Sequence, residues 1–165
     1  MSKVTVIYGS TTGVTETIAQ KIAAYFSCEA INITSAAPDS LAADLIILGT
    51  STWGFGELQD DWAGAGSALL EQSNLSGKKV AVFGVGDSVT FADTFCDGIA
   101  ILVELAQAKG ATNIGAFPAS EYAASITSRV ISGEQLLGLP LDETNEPEQT
   151  TPRLEKWLAQ LKASL

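Results

Sequence analysis

The sequence predicts a doubly wound α/β domain, a parallel sheet with helices on both faces, spanning residues 1–165 as one unit. Three observations predict it. The runs Val4-Thr5-Val6-Ile7-Tyr8, Asp44-Leu45-Ile46-Ile47-Leu48-Gly49 and Lys79-Val80-Ala81-Val82-Phe83-Gly84 are nearly continuous apolar segments, as in strands buried on both faces. Stretches with helical spacing stand between them, which is the alternation of a parallel sheet. The length, 165 residues, suits one sizeable core.

The elements follow in order. The first strand ends at Tyr8, and a helix with Ile18, Ile22 and Tyr25 or Phe26 on one face comes after it. Glu29 to Ile33 supplies a second strand, the run ending at Gly49 a third, and Trp62 to Leu70 a helix. The run from Lys79 is the fourth strand, and Ile99 to Ala108 a helix closed by Gly110. A fifth strand starts near Ile114 to Phe117 and is interrupted by a polar insertion over about residues 119–135. It resumes in Leu136-Leu137-Gly138-Leu139-Pro140-Leu141. Thr151 as N-cap and Pro152 at the first helical position open the last helix, whose apolar face is Leu154, Trp157, Leu158 and Leu161.

Composition excludes several function classes. The net charge of −10 argues against binding nucleic acid or an anionic membrane and favours a basic partner. No cation lies between Lys21 and Lys78 or between Lys79 and Lys109, whereas Glu57, Asp60, Asp61, Asp87 and Asp93 do. With no histidine, imidazole bases and Ser-His-Asp triads are impossible. No Cys or carboxylate cluster has the spacing of a metal site. No apolar stretch is long enough to span a bilayer, and the N-terminal run lacks a signal-peptide pattern. Cys28 and Cys96 form no motif and are expected to be reduced thiols of a cytoplasmic protein.

Ligands of open parallel sheets sit beyond the carboxyl ends of the strands. There, Ser10, Thr11, Thr12 and Thr15 crowd around Gly9 and Gly13, between a strand and a helix N-terminus. Free N–H groups, the helix dipole and hydroxyl donors together suit a phosphate. The loop lacks the lysine of a Walker A motif and the G-x-G-x-x-G of a dinucleotide site. Neutral donors suit a permanently bound phosphomonoester. Two more loops carry aromatics, Trp53 beside Gly54 and Phe91 after Gly86-Asp87, and large aromatics in loops imply something flat packed against them. Trp62 and Trp157 fall on helices and belong to the core. A planar ring with a phosphate tail fits the three loops.

These residues resemble a known family. Ser10-Thr11-Thr12-Gly13-Val14-Thr15 resembles the phosphate signature of flavodoxins, T/S-x-T-G-x-T. Thr52-Trp53-Gly54 through Glu57-Leu58-Gln59 is similar to the family's first flavin loop, and Gly86-Asp87 with Phe91-Ala92-Asp93 and Phe95 to its second. Residues 138–143 and 157–161, with the interrupted fifth strand, resemble the long-chain type. The resemblance implies strand order 2-1-3-4-5 in a five-stranded, flavodoxin-like three-layer sandwich. It also implies one non-covalent FMN and low-potential one-electron shuttling, between semiquinone and hydroquinone, from one redox protein to another. Residues 10 to 15 would hold the phosphate. Thr50, Ser51, Thr52, Trp53, Gly54, Phe55 and Gly56 would line the first flavin loop, with Trp53 over one ring face. Gly86, Asp87, Phe91, Asp93 and Phe95 would form the second. Phe91 stands where the family usually has tyrosine, keeping a ring without its hydroxyl, and Asp87 would reach the ribityl chain or pyrimidine edge.

The same resemblance implies that the peptide after Trp53 turns its carbonyl towards flavin N5, a turn that glycine at position 54 eases. With no nearby cation, the fully reduced, anionic flavin is disfavoured, so the second potential is low. Glu57, Asp60, Asp61 and Asp93 are candidates for transient, salt-sensitive contacts with basic-surfaced partners, and the chain is expected to be a monomer. Rival readings are an FMN-dependent NAD(P)H:quinone oxidoreductase and a non-redox phospholigand module. The first would want an arginine near the loops. A response regulator would want an acidic pair after the first strand, and a phosphatase Cys and Arg in the first loop; none is present.

Overall fold

The computed structural model describes residues 3–53, 56–123 and 125–165. Its strands are β1 (Val4–Tyr8), β2 (Ala30–Asn32), β3 (Leu45–Trp53), β4 (Glu57–Leu58), β5 (Lys79–Val85), β6 (Thr112–Asn113), β7 (Phe117–Pro118), β8 (Ile131–Ser132), β9 (Gln135–Leu136) and β10 (Leu139–Leu141). The α-helices are α1 (Val14–Tyr25), α2 (Ser67–Glu71), α3 (Asp97–Ala108) and α4 (Thr150–Ala163).

The main sheet runs β10-β5-β3-β1-β2, all pairs parallel. β1, β3 and β5 arise because their apolar runs are buried throughout: Val6, Ile7, Leu45, Ile47, Leu48, Val80, Ala81 and Val82 have no exposed surface. Side chains of adjacent strand residues point to opposite faces. Phe83 meets Trp157 of α4 edge-on, with ring centroids 6.4 Å apart, while the Cα of Gly84 packs against Ile99 of α3. Helices α3 and α4 therefore cover opposite faces, which makes three layers.

The parallel order matches the expected 2-1-3-4-5 for its first four strands, with β5 in fourth place. The fifth place is shared. β6 pairs with Lys79 and Val80 at the start of β5, and β10 with Phe83, Gly84 and Val85 at its end. Several expectations are corrected here. The fifth strand starts at Thr112, before Ile114, and Phe117 leaves the main sheet. The excursion spans residues 114–138, wider than 119–135, and contains its own antiparallel sheet, β7-β9-β8. Leu136 belongs to that small sheet, where it pairs with Phe117 and Ile131, so only Leu139–Leu141 of the long apolar run rejoins β5. β4 is also an addition, folding back antiparallel on Thr52 and Trp53.

Pro140 stands inside β10 because alternation turns its backbone outward. The Leu141 carbonyl accepts the Gly86 N–H on the β5 side, so the Pro140 carbonyl faces away, where the Tyr122 hydroxyl donates to it.

Two helix expectations also change. The stretch from Trp62 begins as a π-helical turn, Trp62–Gly66, before α2. The Ser67 hydroxyl donates to the Trp62 carbonyl five residues back at 2.7 Å. Fully buried Trp62 donates its indole N–H to the Gly49 carbonyl at 2.7 Å, anchoring the wide turn to β3. α4 starts at Thr150, behind a 3-10 turn Pro147–Gln149, so Thr151 lies within the helix and does not cap it. Its expected apolar face, Leu154, Trp157, Leu158 and Leu161, is buried, and Trp157 donates to the Gly115 carbonyl at 2.8 Å.

Candidate functional site

A groove of about 300 Å³ lies across the carboxyl ends of β1, β3, β5 and β10. Thr12, Val14 and Thr15 line it from the first loop, and Ser51, Thr52 and Trp53 from the end of β3. Val85, Gly86, Asp87 and Phe91 line it from the end of β5, and Glu143 and Thr144 from beyond β10. No helix among the described residues is long and apolar enough to cross a membrane, and no group of His, Cys, Asp or Glu there could hold a metal.

The first loop is built to present donors. Gly13, at φ +91°, turns the chain into α1 in a left-handed conformation, and no side chain caps the helix. Instead the loop ties itself down from below. The Gly13 N–H donates to Ser10 Oγ at 3.0 Å, and Thr17 Oγ1 to the Gly13 carbonyl at 3.0 Å. Buried Gln59 donates from Nε2 to Thr11 Oγ1 at 3.2 Å while its Oε1 accepts the Asp61 and Trp62 N–H groups. Gly9 is forced by this packing: a Cβ there would lie 2.3 Å from Gln59 Oε1 and 2.7 Å from Trp62 Cδ1. Ser10 and Thr11 therefore brace the loop, whereas Thr12 and Thr15 face the groove.

Trp53 and Phe91 flank the groove and remain 43% and 49% exposed, large apolar surfaces left partly open to solvent. The Trp53 indole N–H donates to Ser51 Oγ at 2.7 Å, which fixes the ring against its own strand. Thr52 Oγ1 accepts the Gly98 N–H at 2.9 Å, joining the end of β3 to the start of α3. Fully buried Thr50 donates to the Ser51 carbonyl and belongs to the core below the groove.

Other expected residues lie off the groove. Phe95 is 2% exposed in the core, with its carbonyl accepting from Ser128 Oγ at 2.6 Å. Asp93 is exposed and accepts from Thr127 of the excursion. Gly56 turns at φ +89° above Asp97. Gly54 and Phe55 lie outside the described residues. Val85, Glu143 and Thr144 also line the groove, and the sequence pointed to none of them. The signal available was a polar stretch directly after a buried strand segment.

The carboxylates around the groove are shifted in opposite directions. At Asp87, N–H donation from Thr90, the Asn145 side chain and the Val89 N–H hold the acid below its ordinary pKa. Burial pushes Asp142 up, but hydrogen bonds from Ser88 and Asn145 outweigh it, and the net shift is downward. Asp97, at the N-terminus of α3, is raised: burial dominates, and the Arg129 N–H at 2.9 Å only partly offsets it. No basic side chain lines the groove. Lys3, Lys78, Lys79 and Lys109 all sit near strand starts or helix ends, towards the end of the sheet opposite the groove.

The groove is lined by two half-exposed aromatic rings and by hydroxyls at an uncapped helix N-terminus, features that suit a flat ring bearing an anionic tail. Comparison with known proteins agrees. A family model described as Flavodoxin matches residues 6–157. A flavodoxin of Synechococcus elongatus is 40% identical, over 99% of this chain and 98% of the relative. Flavodoxin 1 of Azotobacter vinelandii is 37% identical, over 98% and 96%. The solved structure of Fusobacterium nucleatum flavodoxin bound to flavin mononucleotide superposes with a TM-score of 0.91 at 26% identity, covering 100% of this chain and 99% of that one.

Proposed function

Because the chain belongs to the flavodoxin family, we propose that it carries single electrons on a non-covalently bound FMN and turns over no substrate of its own. The observation that supports this most is one groove lined by both Trp53 and Phe91 and by the hydroxyl-bearing Thr12 and Thr15 at the open end of α1. FMN, when bound, supplies the one-electron chemistry. The chain's own residues bind, orient and tune. The loop of residues 10–15 holds the phosphate on neutral donors. Ser51, Thr52 and Trp53 cover one ring face, and Gly86, Asp87 and Phe91 the other. Asp87 and Glu143, with no facing cation, disfavour added negative charge in the groove, which supports a low-potential carrier.

The excursion between β6 and β10 fits the long-chain type of the family, with one domain over residues 1–165. Glu57, Asp60 and Asp93 are exposed around the groove, and Lys3, Lys78, Lys79 and Lys109 lie towards the opposite end of the strands. A chain charged this way presents its groove to basic redox partners, in brief salt-sensitive contacts, as a monomer. Free thiols at Cys28 and Cys96 suit the cytoplasm. The absence of any basic lining residue weighs against a nicotinamide-using enzyme on this fold.

The test is anaerobic stepwise reduction, followed by visible absorption, after adding FMN and desalting. Flavin retained and reduced in two separate one-electron steps is the expected result. Retained flavin reduced in a single two-electron step would favour the enzyme, and no retained flavin would end the FMN reading.

A further inference from the structure

A polar hub ties the loop after β5 to the loop after β10 on one side of the groove. Asp142, 1% exposed at the end of β10, collects five donors. From the loop after β5 come the Ser88 N–H at 3.0 Å and the Ser88 hydroxyl. From its own loop come the Thr144 N–H at 3.2 Å, the Asn145 N–H at 2.9 Å and Asn145 Nδ2 at 2.9 Å. The same Nδ2 donates at 2.8 Å to Asp87 Oδ1, which also accepts the Val89 and Thr90 N–H groups and so shapes the turn leading to Phe91. One amide thus bridges two carboxylates that would otherwise repel each other, one in each loop. The bridged loops supply Asp87 and Phe91 on one side and Glu143 and Thr144 on the other, all lining the groove.

From this geometry we infer that Asn145 and Asp142 are positioning residues for the flavin ring. They set the spacing between the Phe91 wall and the loop after β10, and they leave the phosphate end of the groove alone. The inference rests on the FMN reading but goes beyond it. It assigns the ring side to a hydrogen-bonded clamp between segments 54 residues apart, not to the stacking residues alone. Asn145 is exposed and its removal opens no cavity, so its loss is felt in the placement of the loops more than in the fold.

The experiment titrates the intact protein and its Asn145→Ala variant with riboflavin, which has the ring and no phosphate. Each is also titrated with inorganic phosphate, followed by NMR at the Gly13 to Thr15 amides. The expected result is riboflavin binding weakened about fivefold, a changed visible circular dichroism of the bound ring, and unchanged phosphate binding. Ser88→Ala, which removes one donor to Asp142, moves riboflavin the same way by about twofold. Unaltered riboflavin affinity and dichroism in both variants would overturn the inference, as would equal losses for riboflavin and phosphate. If the unaltered protein binds neither riboflavin nor FMN, the FMN reading itself fails.

Discussion

The loop after β1 and the pair of loops after β5 and β10 both border the groove, and both are rich in polar side chains. They spend those side chains differently. After β1, Ser10 and Thr11 are tied inward, while Thr12, Thr15 and an uncapped helix end face the groove. After β5 and β10, nearly every polar group is consumed internally, with Asp87, Asp142, Ser88 and Asn145 bonding to one another and to nearby N–H groups. A loop that binds a ligand's charge must keep donors unspent. A loop that holds an aromatic wall must spend them, because an unpaired carboxylate beside a flat apolar surface would pull in water. Polar composition alone does not separate these roles.

The largest expected effect breaks the bracing of the first loop. Gly9→Ala drives a methyl into Gln59 and Trp62, both buried, and should cost about 3 kcal/mol of stability, read as a lower urea midpoint. A midpoint within error of the parent would mean that the loop's base is soft. Next comes the donor set. Thr15→Val keeps the buried volume and removes a hydroxyl at the groove, so FMN should bind about tenfold more weakly while riboflavin is unaffected. Titration calorimetry with both ligands decides it, and an equal loss for riboflavin would place Thr15 outside the phosphate end.

The smallest effect concerns pH and sharpens the contrast from the clamp side. Asp87 and Asp142 have folded pKa values below their ordinary ones. Their contribution to stability is therefore present above the ordinary carboxylate range and is lost as pH falls through the folded values. Asp97 is shifted the other way: it costs stability at neutral pH, and the cost is relieved as it protonates. Unfolding midpoints from pH 7 down to 3 should first rise slightly as Asp97 protonates and then fall as Asp87 and Asp142 protonate. Asn145→Ala, which takes a donor from both acids, should show a smaller fall that is complete at a higher pH, and an identical profile would remove the bridging role of that amide.

What the sequence made legible follows from what burial demands. β1, β3 and β5 could be read because a strand covered on both faces needs an unbroken apolar run, and few other elements do. The strand-to-helix setting of the first loop was equally readable, since Gly13 and the hydroxyls beside it are contiguous. The fifth strand was misread because apolarity marks burial and not the partner. Leu136 and Leu139 are both fully buried, yet one pairs in the small sheet and the other against β5. Phe95 looked like a loop aromatic and is a core residue, whereas Phe91, four positions earlier, is the one left half open. The clamp was invisible because its bonds join Asp87 to Asn145 and Ser88 to Asp142 across 58 and 54 residues. Only the fold brings those pairs together.

Pro140 carries one more consequence. An outermost strand normally offers a row of free amides on which another chain can build an added strand, the first step towards aggregation. In β10 the one residue whose backbone faces outward has no amide hydrogen, and its carbonyl is already taken by Tyr122. The border of the sheet beside the groove therefore resists strand-by-strand self-assembly, even where the sequence is as apolar as Leu139-Pro140-Leu141.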